Sequence, residues 1–274
     1  MSELHLVRLP VRQRSFTEWA LGCGYLATPP GDGKGKPRDA DPGYALHALL
    51  AGLFGEEAPR PFAPPPLGAR ESRAGSQQLE LWGYTRRPLE DLREVAKLAD
   101  DRLAALVDLA EARSKPMPAR WPEGVRLAFE LRACPVKRLM QPLTVREGVA
   151  GWETTLARGA EIDAYQVAVA RRETGTPEPD RSAVYCDWLA ERLPPTAAHL
   201  RPESLRVDAY RSTRLLRRPR TPDGKRGAQW LTRPDVHFSG TLEVADGEAF
   251  ARLLASGVGR HCGFGFGMLL LKPA

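Results

Sequence analysis

The chain has 274 residues, 42% of them hydrophobic and 27% charged, with a net charge of +6, an ordinary globular profile with room for one large core or two small ones. No apolar run reaches the roughly 18–20 residues of a membrane span, and the opening MSELHLVRLPVRQRS lacks the apolar centre of a secretory signal, so a cytoplasmic protein with no membrane partner is expected. Its four cysteines, Cys23, Cys134, Cys186 and Cys262, form no CxxC pair, which argues against a zinc knuckle or a disulfide framework.

Residues 4–9 read as a first strand, followed by the loop TPPGDGKGKPRDADPG, whose composition predicts mobility. Asp41 and Pro42 then announce a helix, Asp as N-cap and Pro at the first helical position, with Gly55 as its stop. On a helical wheel Leu46, Leu49, Leu50 and Leu53 form the core face, while Tyr44 and His47 share the lightly covered side with Ala48 and Ala51. After the proline-rich RPFAPPPLG come a short strand at 79–84 and a long amphipathic helix over about 88–113. The acids of that helix, from Glu90 and Asp91 to Glu111, suit a scaffold or partner surface better than a phosphate groove. VRLAFELRA alternates, sending Val125, Leu127, Phe129, Leu131 and Ala133 inward and Arg126, Glu130 and Arg132 outward. It is expected to close a β-α-β-β-α-β unit in which one strand is unlocated.

The second half starts at CPVKRL and passes through a polar, weakly periodic stretch to about residue 180, read as an insertion. Residues 182–193 look helical, with Asp180 or Ser182 as cap. LRVDAYRSTRLL and DVHFSGTLEV read as strands joined through PDGKRG, which has turn composition. In the second of these Val236, Phe238, Gly240, Leu242 and Val244 alternate with His237, Ser239, Thr241 and Glu243. A helix at 247–255 and a last strand at 268–271 complete another unit. The expected fold is α+β: two tandem ferredoxin-like domains, residues 1–134 and 135–274, each an antiparallel sheet with packed helices, plus loop and helical insertions.

Residues 201–233 hold ten Arg and Lys against three acids, a net of +7 that leaves the remainder at −1. Such runs are often solvated hairpins, yet this concentration favours a nucleic-acid partner, because neutralised phosphates release counterions. In SGVGRHCGFGFGMLLLKPA the glycines Gly257, Gly259, Gly263, Gly265 and Gly267 permit positive φ and close approach to a phosphate or to another chain segment. Rossmann and P-loop signatures open a helix after a strand, whereas this motif precedes the final strand, so a nucleotide-binding enzyme is disfavoured. A tight structural turn stays open as the alternative.

Four segments in this order, DPGYALHALLAGLFG, FELRACPVKRL, VHFSGTLEV and GVGRHCGFGFGMLLLKPA, together resemble the CRISPR repeat-processing endoribonucleases of the RAMP superfamily, CasE-like branch. Cys262 stands where that branch usually has lysine, and the regions at 63–85 and 141–180 look expanded, which also suits a type IV-like relative. The resemblance implies tandem ferredoxin-like domains and cleavage of a CRISPR repeat RNA hairpin at its base without metal or cofactor. It further implies that the product is kept within an effector complex of other protein subunits.

Such cleavage needs a deprotonated 2′-hydroxyl, a protonated 5′-oxygen and a stabilised phosphorane. A lone helical histidine is usually a surface or satisfied core residue; the resemblance gives His47 one of the proton transfers. Tyr44 either donates to the phosphate or orients the nucleophile, or simply covers the helix end. The stabilising cation is implied to come from the basic segment, with Arg211, Arg214, Arg217, Arg218, Lys225 and Arg226 as candidates and Arg220 as a further RNA contact. Arg217 and Arg218 are expected to grip the stem from a β-hairpin that enters an RNA groove. Lys137, Arg138, Arg260 and His261 are further expected RNA contacts. Two alternatives remain: a non-catalytic RNA-binding subunit of the same fold, and a RAMP-like scaffold polymerising along guide RNA.

Overall fold

The computed structural model describes residues 3–26, 41–64, 78–147, 152–173, 175–218 and 227–274. Alternation in HLVRLPVR builds β1 (His5–Arg12), which buries Val7, Leu9 and Val11 completely on one face. Against that face pack α1 (Gln13–Gly22) and α2 (Gly43–Phe54), the latter through Leu46, Leu49, Leu50 and Leu53 as its wheel predicts. The chain continues with β2 (Phe62–Ala63), a strand hidden in the proline-rich stretch, and β3 (Gln78–Thr85). It then forms α3 (Leu89–Ala96), α4 (Asp101–Ala104) and β4 (Arg113–Pro116). The four strands make one antiparallel sheet in the order β2-β3-β1-β4.

Two expectations for this half need correction. The helix expected to run from 88 to 113 stops at Ala96, because its aspartates act on the backbone instead of decorating a surface. Asp100 accepts from the Arg102 N–H at 2.8 Å and starts a separate short turn, and Asp108 accepts from the Glu111 N–H at 3.2 Å. The unlocated strand is β4, which lies at the expected end of that helix and pairs with β1.

The second sheet begins earlier than the sequence suggested. β5 (Arg126–Ala133), expected to close the first unit, pairs instead with two strands of the second. Next come β6 (Val136–Arg138), β7 (Leu143–Glu147), β8 (Trp152–Leu156), β9 (Glu161–Asp163) and α5 (Ala164–Arg171). The supposedly weak insertion is thus an ordered β6–β9 ribbon with a β7–β8 hairpin, and Leu139, Val145, Ile162 and Val167 form a small core of its own. The chain ends with α6 (Arg181–Arg192), β10 (Ala198–Leu200), β11 (Arg206–Arg217), β12 (Gln229–Val244), α7 (Gly247–Ser256) and β13 (Leu269–Pro273). Asp180, not Ser182, caps α6 by accepting from the Ala183 N–H at 2.7 Å. The sheet order is β10-β12-β5-β13, with β11 also on β12. The two sheets are tandem antiparallel ferredoxin-like layers.

β11 and β12 pair from Arg206 and Ser239 out to Arg217 and Gln229, whereas β5 meets β12 only from Val236 onward. Their distal half therefore projects beyond the sheet and leans on the first unit, where the Arg214 carbonyl accepts from the Asp41 N–H at 3.2 Å. Residues 219–226, with Arg220, Lys225, Arg226 and most of the expected PDGKRG turn, lie outside the described residues, as does most of the loop before Asp41.

Arg132 fits its strand alternation but not its expected exposure: its side chain is only 7% exposed. Its Nε and Nη2 donate to the two carboxylate oxygens of Asp235 at 2.8 and 2.9 Å. Nη2 also donates to Asp41, Nη1 donates to the Gly265 carbonyl at 3.3 Å, and the guanidinium stands 4.1 Å from the centre of the Phe266 ring. Asp41 does not cap as expected either. The helix starts one residue later, and Asp41 divides its oxygens between the Gly43 N–H at 2.7 Å and Arg132. Burial opposes charge on Asp235, but Arg132 and Arg211 outweigh it and hold that carboxyl below the usual aspartate value.

Candidate active site

The outer face of α2 carries Tyr44 and His47, both half-buried. What covers them is the glycine-rich loop. Phe264 stacks on Tyr44 with ring centres 6.0 Å apart at 11°, and its centre lies 5.1 Å from that of His47. Tyr44 also meets Tyr25 edge-on at 5.2 Å, so its ring is part of an aromatic stack that joins three distant chain segments. Close approach of loop and helix depends on Gly43, where a Cβ would lie 2.1 Å from the Phe264 carbonyl oxygen. Gly43→Ala is expected to push the loop off α2 and to cost about 1–3 kcal/mol, as overpacking does; the unfolding midpoint checks it.

The loop turns on itself. Gly267 has φ +78°, and a Cβ there would stand 2.6 Å from the Val258 carbonyl oxygen, so only glycine fits. The N–H groups of Val258, Phe264 and Gly267 all donate within the protein, to Gly267, His261 and Arg132. The loop's Arg260, His261, Cys262, Gly263 and Phe264 border a cleft of about 370 Å³ whose other walls are His47, Arg60, Glu161 and Arg217.

The electrostatics of this cleft are cationic with one carboxylate. Arg217, Arg260 and Arg60 are exposed and line it. Glu161 forms an ion pair with Arg260 at 2.9 Å and lies 3.7 Å from Arg233. Burial and then the Arg60 charge hold the His47 imidazole below its ordinary value, so it is neutral near pH 7 in the free protein. His261 is pushed down to about 4, chiefly by burial. A neutral imidazole 3.7 Å from Glu161 makes no ion pair in the resting protein. Three cations around a neutral histidine suit a phosphodiester: the cations hold its charge and the imidazole can exchange a proton with a ribose or leaving oxygen.

Of the residues picked out from the sequence, the structure gathers His47, Arg217, Arg260 and His261 around this cleft, with Tyr44 beside it. The other predicted basic residues among those described are not part of its lining. Arg211 donates to Asp235 at 2.9 Å, Arg214 stands 5.7 Å from the Trp230 ring centre, and Arg218 donates to the Cys23 carbonyl at 3.1 Å while covering the Tyr25 ring. Lys137 pairs with Glu191 at 3.1 Å, and Arg138 is exposed on β6. Among the glycines, Gly263 alone borders the cleft, 3.5 Å from Arg60 at its Cβ position, while Gly257, Gly259, Gly265 and Gly267 close against protein atoms. Sequence reasoning missed Arg60, Glu161 and Phe264. Arg60 hid at the head of a proline-rich run, and Glu161 in a stretch with no period. Phe264 was legible only as an aromatic between two glycines.

The sequence model of the family described as CRISPR associated protein matches residues 4–273. The fold is similar to that of the CRISPR endoribonuclease Cse3 bound to a 19-nucleotide RNA, at 20% identity and a TM-score of 0.56, with 98% of this chain and 100% of that one covered. It is similar as well to Thermus thermophilus Cse3 bound to an RNA representing a pre-cleavage complex, at 20% identity and a TM-score of 0.55 over 99% and 100% of the chains. A third likeness is to a CRISPR-associated protein from Thermus thermophilus, at 17% identity and a TM-score of 0.53 over 98% and 100%. None of the curated proteins matches the chain.

Proposed function

Because the chain belongs to the CRISPR associated protein family, we propose that the cleft is the active site of a metal-independent endoribonuclease. It cuts CRISPR precursor RNA within the repeat, at the base of a hairpin, and stays with the mature guide RNA as a subunit of an effector complex. The observation that carries this reading is the convergence, around one opening, of a histidine on α2, an arginine on the projecting hairpin and an arginine on the glycine-rich loop. No single fold layer supplies that set, and it matches what in-line attack by a 2′-hydroxyl requires.

His47 handles a proton, Arg60, Arg217 and Arg260 hold the phosphate, and Tyr44 with Phe264 forms the wall on which a base or ribose rests. The projecting hairpin carries its basic residues toward the stem. The experiment is a gel of repeat RNA with wild type in EDTA. The expected products end in a 2′,3′-cyclic phosphate or 3′-phosphate and a 5′-hydroxyl. Binding without any cutting would instead establish the non-catalytic RNA-binding subunit.

A further inference from the structure

Attack by a 2′-oxygen and departure of a 5′-oxygen occur on opposite sides of phosphorus, so one imidazole cannot easily serve both. The cleft contains a second. His261 and His47 line the same cleft and both neighbour Phe264, their ring centres 6.4 and 5.1 Å from that of the phenylalanine. Its backbone is held at φ +64°, in the left-handed region that non-glycine residues rarely enter. Its side chain is more than nine-tenths buried, and its Nε2 has no hydrogen-bond partner and sits 3.7 Å from Glu161 Oε2, a buried atom that likewise lacks a hydrogen bond and has Arg233 at 3.7 Å. An imidazole with one nitrogen buried toward a carboxylate has its other nitrogen left to offer the substrate, and a carboxylate in that place selects the tautomer.

We propose that His261 is a second catalytic residue, its Nδ1 accepting the 2′-hydroxyl proton, with Glu161 of the inserted ribbon as the residue that positions it. This rests on the reading of the cleft as an RNA-cutting site. As the 2′-oxygen to phosphorus bond forms and the phosphorus to 5′-oxygen bond breaks, the first proton passes to His261. His47, entering protonated, gives its own proton to the leaving 5′-oxygen, and water returns both histidines to their starting states. The 3.7 Å gap to Glu161 closes to a hydrogen bond as His261 gains positive charge.

The charged groups that face His261 are Glu161 on β9, Arg233 on β12, Arg217 on β11 and Arg260 beside it. Burial and the three arginines keep its imidazole neutral and so able to accept. The acid limb of kcat/KM for wild type then reports His261 and lies near pH 4.

The test uses His261→Asn, since asparagine tolerates the left-handed backbone, with RNA binding as the check that the loop is kept. Cleavage of a repeat hairpin RNA is expected to fall about 10²- to 10³-fold, with KM little changed and the acid limb gone. Glu161→Gln is expected to lower kcat and move that limb, again without raising KM. With sulfur in place of the bridging 5′-oxygen, the leaving group needs no proton, so His47→Ala recovers its rate and His261→Asn does not. Wild-type rates in His261→Asn, or its rescue by sulfur, would overturn this assignment while leaving the endoribonuclease reading intact. Failure of wild type to cut the same RNA would overturn both.

Discussion

His47→Ala is expected to cut repeat RNA about 10²- to 10⁴-fold more slowly than wild type, the usual contribution of a positioned acid or base. Binding should be nearly unchanged, because arginines on three other segments, Arg60, Arg217 and Arg260, line the same cleft and are left in place. The loss falls on kcat, since the imidazole exchanges its proton only as the transition state forms. Single-turnover rates at saturating protein, alongside a filter-binding isotherm, separate the two. A variant that cuts as fast as wild type would remove His47 from the chemistry, and one that fails to bind would make it a gripping residue. The depressed imidazole value in the free protein adds a sign: an acid must be protonated, so kcat/KM declines as pH rises through a value below about 6.5, the ordinary histidine value.

Arg132→Ala is expected to destabilise the protein by about 3–5 kcal/mol, because it removes the cation that bridges two buried carboxylates, leaving Asp41 without its arginine and Asp235 with Arg211 alone. Asp41 and Asp235 are both essentially inaccessible. Denaturant unfolding measures the loss; a change under about 1 kcal/mol would mean that water enters and solvates the pair. The wild-type network carries a pH signature. Asp235 titrates lower folded than unfolded, so its contribution is present above the unfolded aspartate value, about 3.9, and is lost as pH falls through the folded one. Acid should therefore narrow the difference between wild type and variant.

Much of the architecture could be read from periodicity. The strand at β1, the leucine face of α2 and the inward set of β12 from Val236 to Val244 are all stated by spacing alone, because each buries one face against one core. Where a second layer decided the outcome, spacing misled. Arg132 alternates outward from its own sheet, but the start of α2 covers that face, and nothing in VRLAFELRA foretells it. β5 could be recognised as a strand but not assigned, since its partners come a hundred residues later. The break after Ala96 is a contest between helical propensity and side-chain capping by Asp100, which composition scored as surface acidity.

For the candidate site, resemblance picked out His47 and Tyr44, and charge counting picked out the hairpin. Neither could rank the arginines, because rank depends on which carboxylates sit nearby. Arg211 is occupied by Asp235 and Arg218 by the Cys23 carbonyl, while Arg217 faces the opening. Glu161 was invisible for the same reason that its segment looked formless: short strands that cross a small separate core leave too few residues for a period to show.

The imidazole of α2 and the guanidinium of β11 belong to different sheets, so the gap between them is set by how the two sheets are riveted together. One such rivet is Arg132, which does not line the cleft. A tool whose jaws are aligned by a pin in the handle loses its bite when the pin loosens, however sharp the jaws remain. Drift in sequence at Asp41 or Asp235 would thus blunt the reaction from a distance, with every residue of the cleft still in place.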